Sequence, residues 1–291
     1  MRAPIVVVLM LVGSAMPIVA QAKVSDVLVS GSRVRVLLQG LETRSSKHPV
    51  FVLQAGAGSP LEAWGDLPDS LSALAPVVAY DRPGLGESEF DGMDPTPTRV
   101  AHHLRSVLRE LEVEPPYVMV GHSWGGPLIL YFADLFPDEV VGMLYLDPSH
   151  PERTWETFYM TTDPEVYAAR EAEMSAFRTP RPEWSDGRNA ENRVTNGFWA
   201  SPVESRSIPD HPPVPTTIVL GTRYEPMGVA FMDRSFMQDF HRVREERFRL
   251  WIVDLPSSEV QVMPDAGHFV HRYQVGAVTA AARTLMSRML N

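Results

Sequence analysis

Five residues, Gly121-His122-Ser123-Trp124-Gly125, constrain this chain more than any others. An apolar run, Tyr117 to Val120, precedes them, and a helical pattern, Pro127 to Phe136, follows at once. The run reads as a buried strand, so the backbone must pass from strand through a sharp turn into a helix within a few residues. The turn is too tight for side chains larger than glycine at its flanks. It lifts one hydroxyl, that of Ser123, clear of a sheet and aims it at a helix N-terminus, where backbone N–H groups meet negative charge. In this context the G-x-S-x-G spacing is that of a nucleophile elbow.

The flanking pattern extends the same architecture. Val27 to Val29 and Val34 to Leu38 read as an antiparallel hairpin about Gly31-Ser32. Val50 to Leu53 is a strand that ends in a small-residue loop, Gln54-Ala55-Gly56-Ala57-Gly58-Ser59. Leu61 to Leu74 reads as a helix and Val77 to Tyr80 as a strand. An irregular turn, Asp81-Arg82-Pro83-Gly84-Leu85-Gly86-Glu87-Ser88, follows. Thr98 to Leu111 carries an apolar stripe at helical spacing, with Thr96 or Thr98 as its cap. Val140 to Leu146 is a strand ending at Asp147-Pro148. Later come the strand Thr217 to Leu220, the helix Phe231 to Val253, the strand Val260 to Met263 and the helix Val275 to Leu290. Strands alternating with helices, several of them wholly apolar, imply a mostly parallel sheet covered on both faces. Between Ser149 and Pro215 no comparable strand occurs, and a structureless loop of that length would be unusual. The segment carries Trp155, Phe158, Tyr159, Tyr167, Phe177, Trp184, Phe198 and Trp199, and reads as a helical cap laid over the sheet.

Composition excludes several classes. With 291 residues, 44% hydrophobic and 21% charged, the chain is long enough for one large core. The net charge of −10 argues against a nucleic-acid partner. The absence of cysteine removes disulfides, thiolate metal sites and a thiol nucleophile. At the N-terminus, Arg2, the apolar run Ile5 to Met16, the helix breaker Pro17 and the triplet Ala20-Gln21-Ala22 make a signal-peptide pattern. The expectation is cleavage after Ala22, export to the periplasm or medium, and no stable membrane insertion afterwards.

Four features in order resemble the α/β-hydrolase superfamily, in its capped group: the Gln54–Ser59 loop, the Asp81–Ser88 turn, the Gly121–Gly126 elbow, and Asp265-Ala266-Gly267-His268 after the last strand. The resemblance covers nearly everything after the leader. It implies an α/β-hydrolase fold, and with the leader the domains are a signal peptide over 1–22, a core formed by 23–148 and 216–291, and a helical cap over 149–215.

It also implies roles. A serine hydroxyl needs an adjacent base, and the family places that base in the loop after the last strand, here His268. The base needs an orienting carboxylate. The commonest family position lies after Thr217 to Leu220, where the usual place holds Tyr224 and Glu225 stands one residue further on. Another lies at the end of the preceding strand, where Asp147 sits, the layout of one branch of haloalkane dehalogenases. Asp147 is preferred, with Glu225 the alternative. The oxyanion donors are the amides of Trp124 and of Ala57 or Gly58, with Ala57 favoured. His271 is read as a surface or supporting residue, His122 as structural, and His102 and His103 as facing solvent. The Asp81–Ser88 turn is read as scaffolding.

The expected activity is that of a serine hydrolase, carboxylesterase-like, cleaving ester or related acyl bonds of small, partly apolar molecules through an acyl-enzyme on Ser123. Serine at the elbow argues against dehalogenase and epoxide hydrolase chemistry, which in this fold use Asp there. The alternatives are a small-molecule-binding, receptor-like protein without catalysis, and an acyltransferase or perhydrolase on the same triad. No motif calls for a cofactor or a metal, and the expected partner is a small-molecule substrate. Fold alone does not choose among these.

Overall fold

Residues 117 to 120 show how the sheet sorts its side chains. Tyr117 and Met119 enter one apolar cluster and Val118 and Val120 the other, as the two-residue period of a strand requires. The computed structural model describes residues 22–45, 47–226 and 228–289. The expected leader over 1–22 therefore lies outside the described residues, Ala22 excepted. Among the described residues, no helix is long and apolar enough to cross a membrane.

Eight strands form one sheet in the order β1-β2-β4-β3-β5-β6-β7-β8. They are β1 Lys23–Val29, β2 Ser32–Gln39, β3 Val50–Gln54, β4 Val77–Tyr80, β5 Tyr117–His122, β6 Val140–Leu146, β7 Thr216–Gly221 and β8 Glu259–Met263. The β1–β2 hairpin joins antiparallel at one edge, through β2 and β4, and the remaining pairs are parallel. The helices are α1 Leu67–Ser72, α2 Pro97–Glu110, α3 Gly125–Leu135, α4 Trp155–Tyr159, α5 Pro164–Arg178, α6 Asp186–Ala200, α7 Arg234–Trp251, α8 Val270–Tyr273 and α9 Val275–Arg288. Side chains of α2, α3 and α7 pack on one face of the sheet, and those of α1, α8 and α9 on the other. The architecture is the α/β-hydrolase fold.

Two local details differ from the sequence reading. Leu61 to Leu74 is not one helix: a short 3₁₀ turn, Leu61–Trp64, ends at Gly65 before α1 begins. Of the two candidate caps for α2, Thr96 accepts a hydrogen bond from the Arg99 amide and Thr98 lies within the helix.

The topology decides where a site can form. From β3 the chain crosses through α1 to β4 on one side; from β5 it crosses through α3 to β6 on the other. Adjacent strands whose connections diverge leave a crevice beyond their carboxyl ends. The Gln54–Ser59 loop leaves β3 and the elbow leaves β5, so both border this crevice. Residues between β6 and β7 form α4, α5 and α6 above it. Trp155, Tyr159, Met174 and Trp199 of this segment share a third apolar cluster with Trp124 and Leu128 of the elbow and α3.

Candidate active site

The elbow is built by close approach. A Cβ on Gly121 would lie 2.6 Å from the Gly125 carbonyl oxygen, and one on Gly125 would run into the Gln54 carbonyl. Between them Ser123 takes φ 52°, left-handed backbone that is unusual outside glycine. The strain is held by the Ser123 amide donating to Leu146 and by the Ser123 carbonyl accepting from Ser149.

Asp147 ends β6 and also has positive φ, 44°. Its amide donates to Val219, which ties the β6 end to β7. Its carboxylate is saturated with donors. His268 Nδ1 donates to Oδ2 at 2.6 Å and the Gly221 amide to Oδ1 at 2.8 Å. Arg244 of α7 grips both oxygens, at 3.2 and 2.8 Å, and also donates to the Gly221 carbonyl. Burial by itself disfavours the charged carboxylate. The Arg244 charge, with the hydrogen bond and charge of His268, outweighs it and holds Asp147 well below the usual carboxylate range. With its Nδ1 proton committed, the His268 imidazole keeps its Nε2 as the acceptor atom.

Glu225 lies elsewhere. Its carboxylate accepts from Arg223 and Tyr273, each at 2.8 Å, and from the His268 backbone amide at 3.3 Å. It thus braces the loop that carries His268 without touching the ring. Burial acts against its charged form, but the bonds from Arg223, Tyr273 and His268 favour that form and leave its pKa lowered.

Ser123, Asp147 and His268 border one cavity of about 330 Å³. The Ser123 hydroxyl has no hydrogen bond to His268 among the described residues. Such bonds commonly close only once substrate is bound. Trp124 and Ala57 border the cavity too, and neither amide has an acceptor among the described residues. The Gly58 amide, the other candidate, donates to Glu191 at 2.6 Å.

Glu191 comes from α6 and explains the Asp81–Ser88 turn. Arg82 is fully enclosed, donates to the Ala55 and Gly56 carbonyls at 2.8 and 2.7 Å, and pairs with Glu191 at 2.6 Å. One ion pair therefore fixes the Gln54–Ser59 loop to both the sheet and the segment above it. The same docking needs Gly84 against Gly187, where a Cβ on Gly84 would meet the Gly187 Cα at 2.5 Å.

Of the other histidines, His103 departs from the sequence reading, and His271 takes the supporting one of its two readings. His271 is 1% exposed: its Nε2–H donates to the Ala63 carbonyl, and its ring packs on Trp64 and His122. It supports the floor of the site and is not a surface residue. His122 is buried beside it and donates to the His268 carbonyl at 3.0 Å. His103 is half-buried and stacks on Tyr80, while His102 is exposed. The reason is that α2 lies on the sheet with a broader face than its apolar stripe suggested. Among the described residues no cluster of metal-binding type occurs. Sequence reasoning missed Arg244, Glu191 and Arg153, because each meets the site through tertiary packing and no local motif marks it.

Residues 50–281 match the model of the alpha/beta hydrolase family, and the chain belongs to that family. An uncharacterised protein of Bacillus subtilis (strain 168), YqjL, is 30% identical over 106 residues, which are 36% of this chain and 42% of that one. The chain spans about two fifths of the length of the first curated relatives it matches. Among solved structures, the epoxide hydrolase VrEH1 from Vigna radiata aligns with a TM-score of 0.64 at 16% identity, covering 92% of this chain and 98% of that one. The carboxylesterase CesB of Bacillus subtilis aligns with a TM-score of 0.58 at 16% identity, covering 93% and 92%. At such identities these two establish the fold alone.

Proposed function

We propose that this chain is a serine hydrolase of carboxylesterase type, acting on ester or related acyl bonds of small, partly apolar molecules. The observation that carries the reading is the 2.6 Å bond from His268 to a carboxylate already neutralised by Arg244, bordering a cavity that Ser123 also borders. An imidazole held in that way is oriented and has Nε2 available as a base.

In the reaction, the Ser123 oxygen adds to the substrate carbonyl while its proton passes to His268 Nε2. The carbonyl oxygen becomes an oxyanion on the Trp124 and Ala57 amides. Collapse breaks the acyl–oxygen bond, and the alcohol leaves with the proton from His268. Water then repeats the sequence on the acyl-enzyme, losing a proton to His268 and releasing the carboxylic acid and Ser123. Asp147 stays ionised throughout and stabilises the imidazolium. Trp155, Phe158 and Trp199 give the cavity an apolar wall, consistent with a partly apolar substrate. The leader pattern from Arg2 to Ala22 supports a role for this activity outside the cytoplasm.

The test is turnover of 4-nitrophenyl esters from acetate to octanoate. The expected result is saturable release of nitrophenol that Ser123→Ala abolishes. Folded wild-type protein that cleaves none of the series would overturn the reading in favour of a binding protein.

A further inference from the structure

The cavity wall carries more positive charge than the triad uses. Arg153, Arg223, Arg244 and Arg247 border it, against the carboxylates of Asp147 and Glu225. Both carboxylates are already engaged, by Arg244 and Arg223. Arg153 and Arg247 have no ion-pair partner among the described residues. The chain as a whole has a net charge of −10, so this is a local excess of the opposite sign.

Arg153 is the unusual one of the two. Its guanidinium makes no hydrogen bond among the described residues, and its Nε is buried without an acceptor. The residue keeps some exposure, and it borders the cavity. Aromatic rings hold the group: its guanidinium carbon lies 4.3 Å from the Trp199 ring centre, 4.9 Å from that of Phe158 and 5.5 Å from that of Trp155. Ring faces attract a cation but accept no in-plane hydrogen bonds, so the fork of N–H donors stays unspent. Burial, and then the like charges of Arg206 and Arg244, disfavour the cation there. An arginine remains protonated regardless, so the site holds a partly desolvated, unneutralised charge. A planar fork of this kind matches a carboxylate.

Resting on the serine hydrolase reading, we propose that the substrate carries a carboxylate, bound by the Arg153 guanidinium, in the same molecule as the acyl bond that Ser123 attacks. The enzyme is then selective for anionic esters, half-esters of dicarboxylic acids or esters of hydroxy acids, over neutral ones of equal size.

The experiment compares kcat/KM within matched pairs: 4-acetoxybenzoate against 4-acetoxybenzamide, and monomethyl adipate against the methyl ester of adipamic acid. Each ratio is taken within one protein preparation, so it is independent of the fraction correctly folded. The wild type is expected to favour the anion by about tenfold or more in at least one pair, the scale of a hydrogen bond to a charged group. Arg153→Met should remove most of that preference and Arg153→Lys should keep part of it. Preference for the neutral member in both pairs, or an unchanged ratio in Arg153→Met, would overturn the proposal. Should no substrate turn over, the hydrolase reading fails separately. Calorimetric binding of adipate to Ser123→Ala then decides: binding lost in Ser123→Ala/Arg153→Met supports the anion site, and binding by both or by neither rejects it.

Discussion

The Asp147 carboxylate accepts from the Gly221 amide, from Arg244 and from His268, while its backbone amide donates to the Val219 carbonyl. So many donors leave the carboxylate one task, to fix and charge-balance the imidazole. Asp147→Asn should therefore lower kcat by about 10⁴-fold, since an amide in that place favours the wrong imidazole tautomer. Glu225→Gln should change kcat by less than about tenfold, because the side chain meets the His268 backbone and not its ring. Steady-state kinetics on folded variants checks both, and the reverse ranking would exchange their roles. Arg244→Met leaves the buried carboxylate without its cation. Its pKa should rise, so that the carboxyl holds its proton to higher pH, and the acid limb of the kcat/KM profile should move the same way; an unmoved limb would make Arg244 merely structural. Asp147 was legible because the apolar strand before it could be read and the family resemblance puts an acid at that strand end in one of its branches. Arg244 was not, since an arginine on a charged helix gives no local sign of facing inward.

At the scale of elements, the Arg82–Glu191 pair joins the β3 loop, the turn after β4 and α6. Its charges are fully buried, at 1% and 2% side-chain exposure, and Glu191 also holds the Gly58 amide. Removing one partner leaves the other charge buried alone. Glu191→Leu should destabilise the protein by about 3–5 kcal/mol, read from urea unfolding, and should reduce the proposed hydrolase activity because the loop that carries Ala57 loses its anchor at the Gly58 amide. A loss below about 1 kcal/mol would mean that the segment docks mainly through its aromatic residues. The strands and α2 were legible because period and apolar runs are local properties. The 3₁₀ break at Leu61–Trp64 was masked by a pattern that looks continuous. The contacts of the segment between β6 and β7 were not readable, because Gly84 meeting Gly187 and Arg82 meeting Glu191 join positions about a hundred residues apart.

At the scale of the whole molecule, several histidines are buried without charge. Burial, first of all, lowers His150 to about 3 and His271 to about 4. In the unfolded chain histidine titrates near 6.5. Between these values the unfolded state binds more protons, so stability falls as pH drops below about 6.5 and is unaffected by these groups above it. Each contributes about 1.4 kcal/mol per pH unit in that window. These two, 6% and 1% exposed, thus remove roughly 5 kcal/mol between pH 6.5 and 4.5. Asp147 acts in the other window: the stability it supplies is complete above about pH 4 and is lost below. Calorimetric melting should show Tm falling steeply from pH 6.5 to 4.5, and a flat Tm there would place these rings in contact with water. Ser123 is the proposed nucleophile. Incubation with a fluorophosphonate followed by peptide mass spectrometry should find one adduct, on the peptide containing Ser123, formed far more slowly in His268→Gln. No adduct, or one on another residue at an equal rate in that variant, would contradict it.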